Sequence, residues 1–503
     1  MSAQSIKPQD ASRGTYRSMM ATMLVLSLPL FVINMGVLPG WGGDYALYLK
    51  QAKHLVEGIP QSELGYVFNE DMPGLSPSAY PPGWPLLMAP VYALFGMDIR
   101  AFHVLSTLLL LCLGLVTCRL FATVVPKGLA MAGALVVVYH PYSLELKSFL
   151  LSDIPFALGM LCILLLYMRR GVRTNPTIMV GILTLTILIR PIGIVLGPAI
   201  FLVELLNWIN HPRQLRPRWS QAGWLRWAGI SLAAATLSAV LMYGVLRIPA
   251  AGDYFEMIRL SDGHGYSMSM LMWFYLGEIQ EFFQFRPMSD WTQPLRYTLT
   301  GALLLGLLWR ARPGFPRVVI VFAVVYFLAV SSFPYSQGKR FFYVFLPLMY
   351  LAAARGLHIL RAQQPWLNGL KWAVVAAALI ICAIRNVQYN QQSQAGHVLG
   401  PHSDIALATW PEISKHTPED AVIAFVSPRV LTLYTDRRSL HPGRVDPDRI
   451  EDNLQRLGST YILHKTWEEH PFLDAYLGTY GDLYEIVWTN DYFALYHRKR
   501  AAH

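Results

Sequence analysis

Apolar runs of bilayer-spanning length recur along the chain as far as residue 388, separated by short polar segments. A helix needs about 20 apolar residues to cross the hydrocarbon core. The runs at 19–39, 101–122, 128–145, 151–168, 176–189, 191–207, 224–247, 295–310, 317–334, 341–359 and 369–388 therefore predict eleven crossings. Arg190-Pro191 interrupts what would otherwise be one continuous stretch over 176–207. The segment 84–96 is apolar but too short to cross, and predicts an interfacial or re-entrant helix. The first run has no small-residue cleavage site, so it is expected to remain as a membrane anchor.

The pattern changes after residue 388. Ser403 or Asp404 can cap a helix running towards Ile413, which Pro411 is expected to kink or interrupt. The segments 421–426, 460–463, 484–488 and 492–497 read as strands, the last two joined by Thr489-Asn490-Asp491. Asp448 to Leu457, followed by Gly458, reads as a second helix. The expected fold class is mainly α: a polytopic membrane helix bundle of about eleven spans followed by a small α/β tail. The membrane part covers 1–388, with outer loops 40–100 and 248–294, and the tail covers 396–503.

Composition agrees with a membrane protein. Hydrophobic residues make up 54% and charged residues 14%, whereas soluble globular chains carry roughly 25% charge. This argues against a soluble enzyme, a disordered chain and a disulfide-bonded secreted scaffold; all four cysteines (Cys112, Cys118, Cys162 and Cys382) fall inside apolar runs. The net charge of +10 would invite a nucleic-acid reading, but its placement argues otherwise. Up to Arg385 there are 30 basic residues against 16 acidic ones, in small clusters between apolar runs; from Asn386 there are 11 against 15. With the N-terminus cytoplasmic, Arg119/Lys127, Arg169/Arg170/Arg173, Arg213/Arg216/Arg218/Arg226, Arg310/Arg312/Arg317 and Arg355/Arg361/Lys371 all fall inside. Loops 40–100 and 248–294 and the tail then lie outside. The chain contains no Asn-X-Ser/Thr acceptor.

Polar residues at the outer mouths of the spans are the candidates for chemistry. Asp44 opens an amphipathic stripe of Tyr45, Tyr48, Leu49, Ala52, Leu55 and Val56 that Gly58-Ile59-Pro60 stops. Alone it reads as a helix cap contributing about 1 kcal/mol; the functional alternative is a general base at the membrane surface. Asp153, before Ile154-Pro155, has the same two readings. Arg190, Lys339 and Arg340 are outward cations that run against the charge bias. They read either as lipid-snorkelling side chains or as a clamp on a phosphate whose lipid tail stays in the bilayer. His140, Glu145 and His264 have no metal-ligand spacing.

Five stretches together resemble the GT-C superfamily of integral-membrane glycosyltransferases. They are similar to the bacterial lipid-A-type glycosyltransferases and the dolichyl-phosphate-mannose protein mannosyltransferases. These are Gly43-Asp44-Tyr45 leading to Gly58, Tyr80-Pro81-Pro82-Gly83 leading to Phe95-Gly96, Leu151-Ser152-Asp153-Ile154-Pro155, Arg190-Pro191-Ile192-Gly193, and Lys339-Arg340-Phe341 leading to Leu346-Pro347 and Gly356. The resemblance implies transfer of a sugar from a polyprenyl-phosphate donor to a hydroxyl on a glycan, lipid or protein acceptor, at the non-cytoplasmic face and with inversion. It implies Asp44 as base, Asp153 as a second acidic site position, and Lys339 and Arg340 on the donor phosphate; Arg190, Tyr45 and Tyr80 are further candidates for substrate binding. No cofactor is indicated, and the resemblance leaves a divalent metal open. With the missing sequons it points to a bacterial inner membrane. Two departures stand out: Gly43 and Tyr45 flank Asp44 where many members carry a second acid, and the Glu or Lys that some place near Tyr80 is missing. The rival readings are a transporter or flippase of a lipid-linked substrate, for which internal repeats and midplane charges are lacking, and a membrane scaffold.

Overall fold

Proline positions decide where the apolar runs become separate helices. The computed structural model describes residues 13–35, 40–75, 77–210, 223–248, 267–284, 292–308, 315–333, 338–363, 367–396 and 400–499. His264, most of the loop 248–294 and the cationic positions 213, 216, 218, 310 and 312 lie outside the described residues. Arg13–Ser27 (α1) continues as a 3-10 turn, Leu28–Phe31. The first loop carries two helices, Gly43–Glu57 (α2) and Gly83–Phe95 (α3). Next come Ile99–Phe121 (α4), Lys127–Tyr139 (α5), Pro141–Ser148 (α6), Asp153–Arg170 (α7), Pro176–Ile189 (α8) and Leu196–Ile209 (α9). Gly223–Ala239 (α10) ends in a π-helical turn, Val240–Val245. Met268–Gln280 (α11), Gln293–Leu308 (α12), Arg317–Ser331 (α13), Phe345–Gln363 (α14) and Leu367–Gly396 (α15) complete the membrane part.

Many apolar helices make this an integral, multi-pass membrane protein, although not every apolar run is one straight span. Among the described residues, Ile99–Phe121, Pro191–Ile209, Gly223–Val245 and Gly369–Gln391 are long and apolar enough to cross alone. The run 128–145, expected as one crossing, is instead bent by 47° between α5 and α6. Pro141 excludes the helical region for the residue before it. His140 is accordingly extended, and its ring accepts the Tyr142 N–H at 3.2 Å. Arg190 is likewise extended before Pro191, so α8 and α9 are separate helices. Helix α3 has 13 residues, and its Leu94 and Phe95 are exposed, as a helix lying along a membrane surface would have them. Helices α12 and α14 approach backbone to backbone: a Cβ on Gly306 or Gly356 would run into the carbonyl oxygen of Ala352 or Ala302. Such small-residue seams replace the hydrophobic drive that lipid cannot supply.

The tail is the expected α/β unit with more elements than the sequence suggested. Asp404–His416 (α16) is capped by Ser403, whose Oγ accepts the Ala406 N–H at 3.2 Å. It runs through Pro411 without interruption, contrary to expectation, because Leu407 and Pro411 both lie on the exposed side. The carbonyl that loses its N–H partner there is open to water. Pro428–Thr435 (α17), Pro447–Arg456 (α18) and Pro471–Tyr480 (α19) follow. The sheet comprises Tyr66–Val67 (β1), Val422–Ala424 (β2), Arg438–Leu440 (β3), Tyr461–Lys465 (β4), Tyr484–Thr489 (β5) and Phe493–Arg498 (β6), in the order β1-β3-β2-β4-β6-β5. The first four in that order pair in parallel, and β6 is antiparallel to both its neighbours.

Strand β1 belongs to the first loop, so loop and tail share one sheet. Asp71 reinforces the seam, accepting from Arg449 Nε at 2.9 Å and Asn453 Nδ2 at 2.7 Å. Trp41 adds to it, packing against Trp410, Phe425, Trp467 and Phe493 with Lys465 Nζ 4.1 Å from its ring centroid. This docking holds the tail over the mouth of the helix bundle.

Candidate active site

Asp44 lies in the first turn of α2, yet its carboxylate does not cap the helix. Tyr80 Oη donates to Asp44 Oδ1 at 2.6 Å, and Arg429 Nη1 reaches the same oxygen at 3.2 Å. Arg340 Nη1 holds Oδ2. Asp153, the first residue of α7, is fully buried and receives two guanidinium groups on Oδ2: Arg190 at 2.8 Å and Arg340 Nε at 2.9 Å. Arg340 thus bridges Asp44 and Asp153. A guanidinium suits this position because its planar fork presents donors in two directions.

The supporting residues fix this geometry. Gln51, two turns along α2, makes paired hydrogen bonds with the Tyr80 backbone, donating to its carbonyl at 2.8 Å and accepting its N–H at 3.2 Å. The rings of Tyr48 and Tyr80 pack 4.7 Å apart, and Ser152 Oγ meets Tyr48 Oη at 3.0 Å and Arg190 Nε at 3.0 Å. Arg190 lies over the Phe341 ring at 5.0 Å. Leu150, just before Asp153, adopts φ = 52°, and its carbonyl accepts the Trp84 indole N–H at 2.8 Å. Such a backbone conformation costs about 1–3 kcal/mol and persists where surrounding packing imposes it.

Burial alone would raise the Asp44 carboxyl, but the Arg340 and Arg429 guanidinium groups and their hydrogen bonds, with that of Tyr80, hold it well below the usual carboxylate range. Burial pushes the Tyr80 phenol well up; Arg429 opposes this and Asp44 reinforces it. Tyr80 is therefore a neutral donor facing a carboxylate anion.

Five residues singled out from the sequence come together here: Asp44, Asp153, Arg190, Arg340 and Tyr80. Two do not join them directly. Lys339 turns to Glu281 Oε2 at 3.2 Å and lies 5.0 Å from the Tyr142 ring centroid. Tyr45 faces the tail, with its ring 5.8 Å from that of His402. Sequence reasoning missed Arg429, Gln51 and Ser152. Arg429 is the second residue of an eight-residue helix in the tail, and nothing local distinguishes it from the other tail cations.

No protein-family model and no curated protein matches the sequence. Solved structures do match. ArnT from Cupriavidus metallidurans bound to undecaprenyl phosphate is 14% identical, with a TM-score of 0.59 over 98% of this chain and 99% of that one. The archaeal oligosaccharyltransferase AglB from Archaeoglobus fulgidus, in complex with an inhibitory peptide and a dolichol-phosphate, is 13% identical, with a TM-score of 0.54 over 90% of this chain and 69% of that one. The chain shares their fold. Helix bundle and tail are both included in the ArnT superposition, as the resemblance of the five sequence stretches led us to expect of the fold.

Among the described residues, no three His, Cys, Asp or Glu side chains gather where they could hold a metal ion. A divalent cation at Asp44 would lie against two guanidinium groups that already neutralise the carboxylate. The residues present do not fit such an ion.

Proposed function

We propose that the protein is a glycosyltransferase that moves a sugar from a polyprenyl-phosphate donor to a hydroxyl acceptor at the non-cytoplasmic face of the membrane. The observation that carries this reading is the Arg340 bridge between Asp44 and Asp153 at the mouth of the helix bundle. Three guanidinium groups (Arg190, Arg340 and Arg429) face two carboxylates, which leaves one unit of positive charge. That balance suits a sugar phosphodiester, which carries one negative charge, better than a diphosphate. The shared fold supports the class of reaction, since ArnT is described with undecaprenyl phosphate and AglB with dolichol-phosphate.

The chemistry follows from charge flow. The acceptor oxygen attacks the anomeric carbon, forming one C–O bond as the bond to the donor phosphate oxygen breaks. Asp44 takes the acceptor proton, and the lipid phosphate leaves as a dianion stabilised by Arg340 and Arg190. In the resting network Asp44 is a weak base because two guanidinium groups share its charge. A donor phosphate that draws Arg340 away removes one of them, so basicity rises only once the donor is bound. One displacement inverts the anomeric centre.

The test supplies the purified protein with the same sugar on polyprenyl phosphate, on polyprenyl diphosphate or on a nucleotide, together with candidate acceptors. The reading predicts consumption of the polyprenyl-phosphate sugar only. Use of the nucleotide sugar alone, or of no lipid-linked sugar, would contradict it.

A further inference from the structure

Arg429 belongs to the tail, yet it is one of the largest fully buried side chains among the described residues and ends at the membrane-domain carboxylate. Its Nη1 donates to Tyr80 Oη at 2.8 Å and to Asp44 Oδ1 at 3.2 Å. Its Nη2 donates to the carbonyl of Pro77 at 2.9 Å and to that of Leu75. The guanidinium lies 4.9 Å from the Tyr66 ring centroid and 5.0 Å from that of Tyr80. One tail side chain thus fastens Leu75, Pro77, Tyr80 and the carboxylate together.

We propose that Arg429 is the positioning residue of the transfer reaction, holding Asp44 and Tyr80 in place from the tail so that Arg340 is free to leave Asp44 for the donor phosphate. This rests on the transferase reading above. Among the described residues, the Arg340 guanidinium has no backbone carbonyl as an anchor; its hydrogen bonds go to Asp44 and Asp153. Arg429 makes two carbonyl contacts that a donor phosphate would not replace. When a phosphate competes for guanidinium groups, Arg340 is therefore the one to move. Asp44 then keeps one cation and its Tyr80 hydrogen bond, and so stays ionised and aimed. The tail is in this way part of the site, and docking at the β1–β3 seam completes it.

The groups facing Asp44 are Arg340 from the turn before α14, Arg429 from α17, Tyr80 from the segment before α3 and Tyr48 on α2 itself, with Asp153 and Arg190 behind Arg340. Removing the Arg429 charge takes one of the two cations that hold the carboxyl down, so its midpoint must rise. The Asp44 side chain is 28% exposed, enough for a small carboxyl reagent to reach it.

The experiment uses the protein in lipid nanodiscs with wild type, Arg429→Gln, Arg429→Lys and, as a control for a tail cation away from the seam and the site, Lys415→Ala on the exposed side of α16. Turnover of a polyprenyl-phosphate sugar is measured alongside carbodiimide labelling of Asp44, read by peptide mass spectrometry as a function of pH. Arg429→Gln is expected to lose about 100-fold in kcat with donor KM within about threefold, because positioning rather than binding is lost. Its labelling midpoint moves to higher pH. Arg429→Lys keeps the labelling midpoint near wild type but recovers only part of kcat, since a point charge cannot span two carbonyls, a phenol and a carboxylate. Lys415→Ala leaves both readouts unchanged. Wild-type kcat in Arg429→Gln overturns the proposal, and so does an unmoved labelling midpoint. If Arg429→Gln fails to fold, wild-type kcat in Arg429→Lys overturns it instead. Should wild type consume no lipid-linked sugar while labelling still shifts, the transferase reading falls and the positioning role stands.

Discussion

Gly83 opens α3 against the end of α8, and a Cβ there would lie 2.5 Å from both Ile189 N and the carbonyl carbon of Leu188. Neither atom can rotate away. Ordinary contact begins at 3.4 Å, so Gly83→Ala must part the two helices by about 1 Å, an overpacking that typically costs about 1–3 kcal/mol. Both sides of the contact lead to the site. Arg190, the Asp153 partner, follows Ile189, and Tyr80, the Asp44 partner, lies three residues before Gly83. A displacement of about 1 Å in catalytic groups is enough to lower turnover by about 100-fold. We therefore expect Gly83→Ala to fold with modestly reduced thermal stability and to lose about 100-fold in kcat. The assay is polyprenyl-phosphate-sugar turnover in nanodiscs, paired with thermal unfolding. Gly181→Ala on α8 is the control, because its Cβ meets nothing within 4 Å; it should keep turnover and gain up to about 1 kcal/mol. Wild-type turnover and stability in Gly83→Ala would refute the argument, and equal losses in both variants would show that helix α8 itself, not this contact, is responsible.

Arg340→Gln leaves Asp153 paired with Arg190 and Asp44 with Arg429, so the protein should fold. Loss of a charge-assisted hydrogen bond worth about 1.5–3 kcal/mol should raise donor KM roughly 10- to 100-fold; an unchanged KM would take the phosphate away from Arg340. Burial foremost, then Arg444 and His470, lowers the buried tail residue His441 to about 4. An unfolded histidine titrates near 6.5, so over that interval the unfolded chain binds a proton the folded one does not. Stability should fall as pH drops from about 6.5 towards 4, by roughly 3 kcal/mol in all. The slope should flatten in His441→Gln, and identical slopes in thermal unfolding would contradict this. Gly356→Val must push α14 off the Ala302 carbonyl and should destabilise by about 1–3 kcal/mol; an unchanged melting temperature would refute the close seam.

The membrane part was legible because bilayer thickness imposes a length on apolar runs, and the members of the candidate cluster were legible where a polar residue interrupts the mouth of such a run. Asp44, Asp153, Arg190 and Arg340 were found in that way, with Tyr80 added by motif. Adjacent residues proved harder to separate. Lys339 and Arg340 are neighbours, but a 3-10 turn sends them to different carboxylates. Tyr45 is one residue from Asp44, but one helical step carries it round to the tail. Strands of two or three residues, such as β1 and β3, are too short to show a period. Arg429 was invisible for a different reason: it meets Asp44 across 385 residues of sequence, and only the packing of α17 against α2 brings the two together.

The central claim is that Asp44 takes the acceptor proton during sugar transfer from a lipid phosphate. Its most direct test is the single-turnover release of polyprenyl phosphate from a polyprenyl-phosphate sugar, by wild type and by Asp44→Asn, with acceptor present. Removing a general base of this kind should slow release by about 10²- to 10⁴-fold while donor binding persists. Equal rates in the two proteins would contradict the account.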